Sequence, residues 1–215
     1  MVFLGVGAAA GVAALIGAFV VAEADDDDGR DGDVRTVQPG APGETGRELS
    51  DDEVADIESP EATAADVAFM QNMIHHHRQA LDMAALVEER AERDDLPLLA
   101  ERITLSQTQD IEWMEGWLTA QGVEVLDPAD HEGHLMAGMA TDEQLDQLEQ
   151  ARGNSFDRLF LELMITHHQG AVTMVGDLYA AGGGLDPTVD GFTREVDSDQ
   201  TIEIGRMQDI LDALA

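Results

Sequence analysis

From residue 63 onward, apolar residues recur along this chain with the spacing of α-helices. Apolar positions three and four residues apart predict four main helices, at about 63–92, 96–121, 141–181 and 188–214. The third is expected to break near Gly153, and Gly122, Pro128 and the glycines at 182–184 separate the others. No stretch alternates convincingly between apolar and polar residues, so strands are not expected. The pattern predicts an all-α domain over residues 62–215.

The N-terminal residues predict two further segments. Residues 2–22 are almost wholly apolar and long enough to cross a bilayer as one helix. No Arg or Lys precedes this run, and Ala22-Glu23-Ala24 matches a cleavage site only loosely, so residues 1–22 are expected to form a signal anchor, with a cleaved signal peptide as the alternative. Either assignment predicts an extracytoplasmic protein, anchored to the membrane or secreted. Residues 23–61 begin acidic and hold few large apolar residues, which predicts a disordered acidic linker.

An internal repeat relates the two halves of the predicted helical domain. A shift of 91 residues aligns segment 66–83 with segment 157–174 at eight identical positions out of eighteen. The matching residues are Asp66, Phe69, Met73, Ile74, His76, His77, Ala80 and Met83 with Asp157, Phe160, Met164, Ile165, His167, His168, Ala171 and Met174. A shift of 93 aligns Gln107, Thr108, Ile111, Met114 and Leu118 with Gln200, Thr201, Ile204, Met207 and Leu211. A duplicated helical hairpin predicts a four-helix bundle.

The repeated residues place Met and His side chains on one side of each helix. At about 100° per residue, the Met-x-x-His-His residues of each copy lie on the same side as the other repeated positions. His75 lies on the opposite face, where solvent exposure is expected, and Thr166 replaces it in the second copy. Each copy therefore directs a Met-His-His cluster towards the interior of the bundle.

These side chains predict a site for a soft metal ion. Thioether sulfur suits Cu(I) or Ag(I), and imidazole suits both oxidation states of copper as well as zinc and nickel. The predicted ligands are Met73, His76, His77, Met83, Met164, His167, His168 and Met174. Further candidates are Met114 and Met207, together with His131, His134, Met136 and Met139 of a connecting segment interpreted as a mobile metal-capturing loop. Gln107, Asp110, Gln200 and Glu203 are expected to lie beside the histidines and orient them by hydrogen bonds.

Charge and cysteine content narrow the classes of function. The 215 residues include 45 acidic and 11 basic residues, all of the latter arginine, for a formal net charge of -34. This excess excludes nucleic acid and anionic membrane surfaces as natural partners, because their contacts would be repulsive. It is typical of halophilic adaptation or of a surface that attracts cations. The absence of cysteine excludes disulfides, thiolate metal sites and cysteine nucleophiles.

The same residues allow other interpretations. Methionine on an apolar face is commonly core filler, and Asp66 and Asp157 are expected to be first-turn residues favoured by the helix dipole. A di-iron oxidase needs Glu-x-x-His, whereas Met or Ile stands three residues before each repeated histidine. No serine stands in the context of a hydrolase. The protein is therefore expected not to be an enzyme; the alternative to metal binding is a structural or partner-binding bundle with pH-responsive histidines.

Three segments resemble a known family of bacterial and archaeal proteins. The stretches DVAFMQNMIHHHRQALDMA, ITLSQTQDIEWMEGWL and FDRLFLELMITHHQGAVTMV are similar to the domain of unknown function 305 family, over roughly residues 65–214. The resemblance implies a ferritin-like bundle that is exported or membrane-anchored. Some members are described as periplasmic copper-binding proteins, which implies a copper ion as cofactor, with silver as a surrogate. The resemblance assigns the role of metal ligand to the same eight Met and His residues. Whether the protein forms a homo-oligomer or binds a copper-handling partner protein stays open.

Overall fold

The computed structural model of this protein describes residues 19–21, 35–38, 45–50, 52, 60–126 and 136–214. The chain divides into an N-terminal unit that ends at Glu58 and a second unit that begins at Ser59. Within the described ranges, no helix is long and apolar enough to cross a membrane. Most of the predicted anchor at 1–22 and linker at 23–61 lies outside the described residues.

The described part of the N-terminal unit contains three short strands. They are β1 (Phe19–Val21), β2 (Arg35–Gln38) and β3 (Arg47–Glu48), which pair antiparallel in the order β1-β2-β3. The prediction of an all-α structure is therefore wrong for this part of the chain, whose described residues include strands. Valine, threonine and phenylalanine favour extended backbone, and pairing satisfies the peptide groups of such short runs.

The second unit is helical, as predicted. Its helices are α1 (Ala64–Ala85), α2 (Val87–Arg90), α3 (Leu96–Ala120), α4 (Asp142–Gln150), α5 (Asn154–Ala180) and α6 (Pro187–Asp212). The predicted break near Gly153 is confirmed, because α4 and α5 are separate helices. Side chains cap several of their first turns: Thr63 and Asp66 form a capping box on α1, and Asp186 caps α6 just before Pro187.

The four long helices pair as two hairpins. α1 packs against α3, α5 packs against α6, and α1 also packs against α5. Two apolar clusters fill the core. One contains Phe156, Phe160 and Leu161, and the other contains Phe69, Trp117 and Phe192. Along both α1 and α5, the repeated histidines stand between the residues of one cluster and those of the other, so the fold holds them inside the bundle.

Two fully buried aspartates join the hairpins to each other. Asp66 near the start of α1 accepts a hydrogen bond from the backbone N–H of Gly184, in the turn between α5 and α6, at 2.7 Å. Asp157 near the start of α5 accepts the N–H groups of Glu92 and Arg93, in the turn between α2 and α3, at 3.0 Å each. These first-turn residues were expected to interact with the helix dipole, but their carboxylates also hold the turn of the opposite hairpin.

Candidate metal centre

Four imidazoles occupy the middle of the helical core. His76 and His77 on α1 and His167 and His168 on α5 are completely buried. The rings of His76 and His167 are in contact, with centroids 3.7 Å apart and planes inclined by 34°. The centroid distance is 6.4 Å between the rings of His76 and His77 and 6.1 Å between those of His167 and His168. The two copies of the repeated motif therefore meet between α1 and α5.

A carboxylate from the neighbouring helix accepts a hydrogen bond from one histidine in each hairpin. His77 Nε2 donates to Asp110 Oδ2 at 3.1 Å, and His168 Nε2 donates to Glu203 Oε2 at 2.8 Å. Asp110 lies on α3 and Glu203 on α6, at positions that the internal repeat relates. Both carboxylates thus lie beside the imidazoles, where the sequence predicted partners that orient them.

The other two histidines donate to backbone oxygens. His76 Nε2 donates to the carbonyl of Ala137 at 3.0 Å, and His167 Nε2 donates to the carbonyl of His76 at 2.9 Å. Because a carbonyl oxygen only accepts, the hydrogen stands on Nε2 in both rings. Sequence reasoning missed these two acceptors, since any residue supplies a backbone carbonyl and only tertiary packing brings it to the ring.

The remaining ring nitrogens are the atoms through which these histidines could bind a metal ion. The Nδ1 atoms of all four histidines are buried and have no hydrogen-bond partner in the structure. A neutral imidazole protonated at Nε2 carries its lone pair on Nδ1, and this is the arrangement of a metal-binding histidine whose other nitrogen is held by an acceptor. Each of the four rings therefore has one buried nitrogen whose lone pair is available to coordinate a metal ion.

Burial keeps two of the rings neutral. Burial, together with the charge of His77, lowers the pKa of His76 from 6.5 to about 3. The pKa of His167 lies well below its usual range for the same reason, and the repulsion that a proton on His76 would exert is the second cause. Since only a neutral imidazole coordinates a metal ion, these two rings are in the binding form at neutral pH without release of a proton.

The six predicted methionines on the long helices lie in the two apolar clusters that flank the histidines. Met73 and Met114 are fully buried in one cluster, against which the partly buried Met174 packs. Met83, Met164 and Met207 are fully buried in the other. Each cluster thus contains thioethers from both hairpins, in sets that the repeat relates.

One further methionine was not predicted. Met70 is fully buried in the same cluster as Met73. The repeat did not reveal it because Leu161 stands at the corresponding position of the second copy. Its separation of three residues from Met73, which places both on one side of α1, is the signal that would have found it.

Three other polar residues near the histidines differ from the expectation. They are Gln107, Gln200 and His75. Gln107 is fully buried, yet neither its amide nitrogen nor its oxygen has a hydrogen-bond partner, and Gln200 Oε1 also has none. His75 is partly buried, whereas exposure was expected. Within the ranges that the structure describes, no group of three or more His, Asp or Glu side chains is arranged to hold a metal ion.

The predicted metal-capturing loop is described only in part. His131 and His134 lie outside the described residues, whereas Met136 and Met139 are partly buried. The interpretation of this segment as a mobile metal-capturing loop stays a prediction. Gln79 on α1 forms hydrogen bonds with both backbone groups of Ala140, which fixes this portion to the bundle.

Comparison with solved structures places these features among related proteins. A crystal structure of a DUF305 fragment from Deinococcus radiodurans is 35% identical, with a TM-score of 0.62, and the match covers 72% of this chain and 99% of that fragment. A DUF305 protein from Streptomyces coelicolor is 29% identical, with a TM-score of 0.62, and it is named as a candidate secreted protein. The match covers 70% of this chain and 93% of that protein.

A third similar protein, CopM, has been solved with metal ions. Its Cu(II)-bound form is 32% identical to this chain, with a TM-score of 0.59 over 70% of this chain and 97% of CopM, and it is also known in Cu(I)-bound and Ag-bound forms. No curated protein matches this chain. The family model described as Domain of unknown function (DUF305) matches residues 66–211. Because this match spans more than half of the chain, the protein belongs to the DUF305 family.

Proposed function

We propose that this protein binds and buffers copper outside the cytoplasm, without catalysing a reaction. The observation that carries the proposal is the set of four buried imidazoles whose Nε2 atoms are held by acceptors and whose Nδ1 atoms have no partner. A buried polar atom without a hydrogen bond is costly, and a bound metal ion would remove that cost.

The methionines favour a soft ion over a hard one. Six of the predicted thioethers lie in the two clusters that flank the histidines, and the chain has no cysteine to compete with them. Imidazole together with thioether suits copper in both oxidation states, whereas magnesium and calcium prefer oxygen. The copper and silver complexes of CopM support the same choice of ion. The Streptomyces relative named as a candidate secreted protein supports the extracytoplasmic location.

The alternative is a bundle whose histidines respond to pH. A histidine that senses pH has to titrate between about pH 5 and 8. The pKa of His76 is about 3, because the ring is buried beside other imidazoles, so His76 stays neutral throughout that interval. This favours the metal-binding interpretation of His76 and of His167, whose pKa is lowered for the same reason.

Thermal unfolding in the presence of silver tests the proposal. An ion that binds only the folded protein stabilises it by about 2.7 kcal/mol at one hundred times its dissociation constant, so the melting temperature should rise with silver concentration. The paired variant His76→Ala with His167→Ala should lose most of this rise. The matched control His75→Ala, which alters a histidine absent from the second copy, should keep it. An unchanged melting temperature of the native protein would refute the proposal.

A further inference from the structure

Among the positions at which the two copies of the repeated motif differ, one lies two residues after the second histidine. At the 91-residue shift, Gln79 corresponds to Gly170, although Ala80 and Ala171 next to them are identical. A long amide side chain and no side chain at all are not equivalent on a helix surface. Both positions contact the same stretch of backbone, residues 136–140, which we call the crossing segment.

Gln79 holds one end of the crossing segment. Its Nε2 donates to the carbonyl of Ala140 at 2.9 Å, and its Oε1 accepts the N–H of Ala140 at 2.7 Å. The side-chain amide thereby satisfies both backbone groups of a residue that is only 4% exposed. Such a two-point contact fixes the position of the backbone as well as its orientation.

Gly170 allows the other end to lie directly on α5. A Cβ atom at Gly170 would overlap the carbonyl oxygen of Ala137, and one at Gly138 would overlap the carbonyl oxygen of Thr166. Gly138 also has a φ of 75°, which favours glycine. The crossing segment therefore contacts α5 backbone to backbone, and a side chain at either glycine would separate them.

These contacts bring the Ala137 carbonyl to His76. That carbonyl accepts the hydrogen of His76 Nε2 at 3.0 Å, whereas His167, the corresponding ring, donates to a carbonyl of α1. We propose that Gln79 and Gly170 are positioning residues: they hold the crossing segment so that Ala137 fixes the tautomer of His76 and leaves Nδ1 for a soft metal ion. The role in metal binding rests on the proposed function, but the control of the tautomer does not.

Two pairs of variants separate this role from a general effect on folding. Gly170→Ala should displace the crossing segment. Gly176→Ala on the same helix is its control, because a Cβ atom at Gly176 would meet no atom within 4 Å. Gln79→Ala removes the contact with Ala140. Its control Gln71→Ala removes a comparable hydrogen bond, from the Gln71 amide to the carbonyl of Glu124 at 3.1 Å.

Long-range ¹H–¹⁵N NMR of the imidazoles gives a readout that does not require metal. His76 should carry its proton on Nε2 in the native protein and in both controls. In Gly170→Ala and Gln79→Ala, a substantial population should carry it on Nδ1, while His168, which Glu203 holds, stays unchanged. Loss of an outer hydrogen-bond partner typically weakens metal binding about 10- to 100-fold, so silver affinity should fall by that factor in these two variants only.

The outcomes remain distinct if one variant does not fold, because Gln79→Ala and Gly170→Ala disturb opposite ends of the same segment. A His76 proton that stays on Nε2 in every folded variant would overturn the inference. If the native protein binds no silver, the proposed function fails, and the tautomer measurement still decides whether the crossing segment positions His76.

Discussion

The four histidines are distinguished by what accepts their Nε2 hydrogen. His77 and His168 donate to carboxylates, and the side chain of Glu203 is less exposed, at 8%, than that of Asp110, at 20%. His76 and His167 donate to backbone carbonyls. A carboxylate acceptor carries a full negative charge, whereas a backbone carbonyl carries only a partial one. The four rings therefore divide into two that are held by carboxylates and two that burial keeps neutral.

The low pKa of His76 makes stability depend on pH. The ring has a pKa of about 3 in the folded protein, compared with 6.5 for an unperturbed histidine. Between these values the unfolded chain binds a proton that the folded chain does not, so the free energy of unfolding should fall as the pH decreases below about 6.5. This contribution is fully present above that pH. The lowered pKa of His167 acts in the same direction.

Urea unfolding of metal-free protein at a series of pH values between about 7.5 and 5 measures this effect. The replacement His76→Gln removes one titrating ring, so its free energy of unfolding should decrease less steeply on acidification. The native protein and the variant have the same carboxylates. The difference between them in how steeply the free energy of unfolding depends on pH is therefore due to His76. Parallel pH profiles for the two proteins would contradict the prediction.

At the scale of single residues, the sequence predicted which histidines are buried and which carboxylates lie beside them, but not their contacts with the backbone. The repeat identified His76, His77, His167 and His168, because helical periodicity determines the face on which a residue lies. It did not identify Ala137 as an acceptor, since that contact joins residues 61 positions apart through a backbone group. Nor does periodicity predict that the buried amide of Gln107 lacks a partner.

Each hairpin is held at its turn by an aspartate from the other hairpin. Asp157 accepts two backbone N–H groups at 3.0 Å while fully buried. In Asp157→Asn, the amide nitrogen would face one of those donors and leave it without a partner. An unsatisfied buried group costs about 1–3 kcal/mol, so this variant should be destabilised by about that amount.

The exposed Asp209 on α6 provides the matched control for this change. Asp209→Asn removes a negative charge of the same type without a buried contact, so its free energy of unfolding should stay close to that of the native protein. Denaturant unfolding of both variants gives the comparison. Equal stability of Asp157→Asn and Asp209→Asn would show that the contact between the hairpins contributes little.

The positions of the helices were predictable because helical periodicity and capping residues depend only on residues that are close in the sequence. Thr63, Gly153 and Pro187 mark boundaries that the structure places within a few residues of the predictions. The strands were not predictable, since elements of two to four residues are too short to show an alternating pattern, and Thr36 and Val37 stand within an acidic stretch. The aspartate contacts between hairpins are tertiary and carry no local signal.

The charge of the whole molecule favours the approach of cations to this centre. The formal net charge is -34, and some of the acidic groups lie near the histidines. The pKa of Asp199 is raised by partial burial and by the neighbouring charges of Asp110 and Glu203, the two carboxylates that hold imidazoles. Such a concentration of negative charge attracts metal ions and repels anions.

The arrangement of the two hairpins predicts that a bound metal ion would be shared between them. The rings of His76 and His167, one from each hairpin, have centroids 3.7 Å apart. The methionine clusters are also mixed, since Met174 packs against the cluster of Met73 and Met83 lies in the cluster of Met164. A metal ion held at the contact between α1 and α5 would therefore draw ligands from both copies of the motif.

Three variants analysed by equilibrium dialysis with silver test whether the centre is shared. Changing His76 and His77 to Ala should abolish most tight binding, and so should changing His167 and His168. Combining all four changes should add little, because residues that act as one unit are not additive. Two independent sites predict instead that each paired variant loses half of the bound metal and keeps the native affinity for the rest.

Circular dichroism of the same samples verifies that each variant retains its helices, so that lost binding is not mistaken for lost folding. Halved stoichiometry in both paired variants would refute the shared centre while leaving metal binding intact, whereas near-complete loss in each would require ligands from both hairpins.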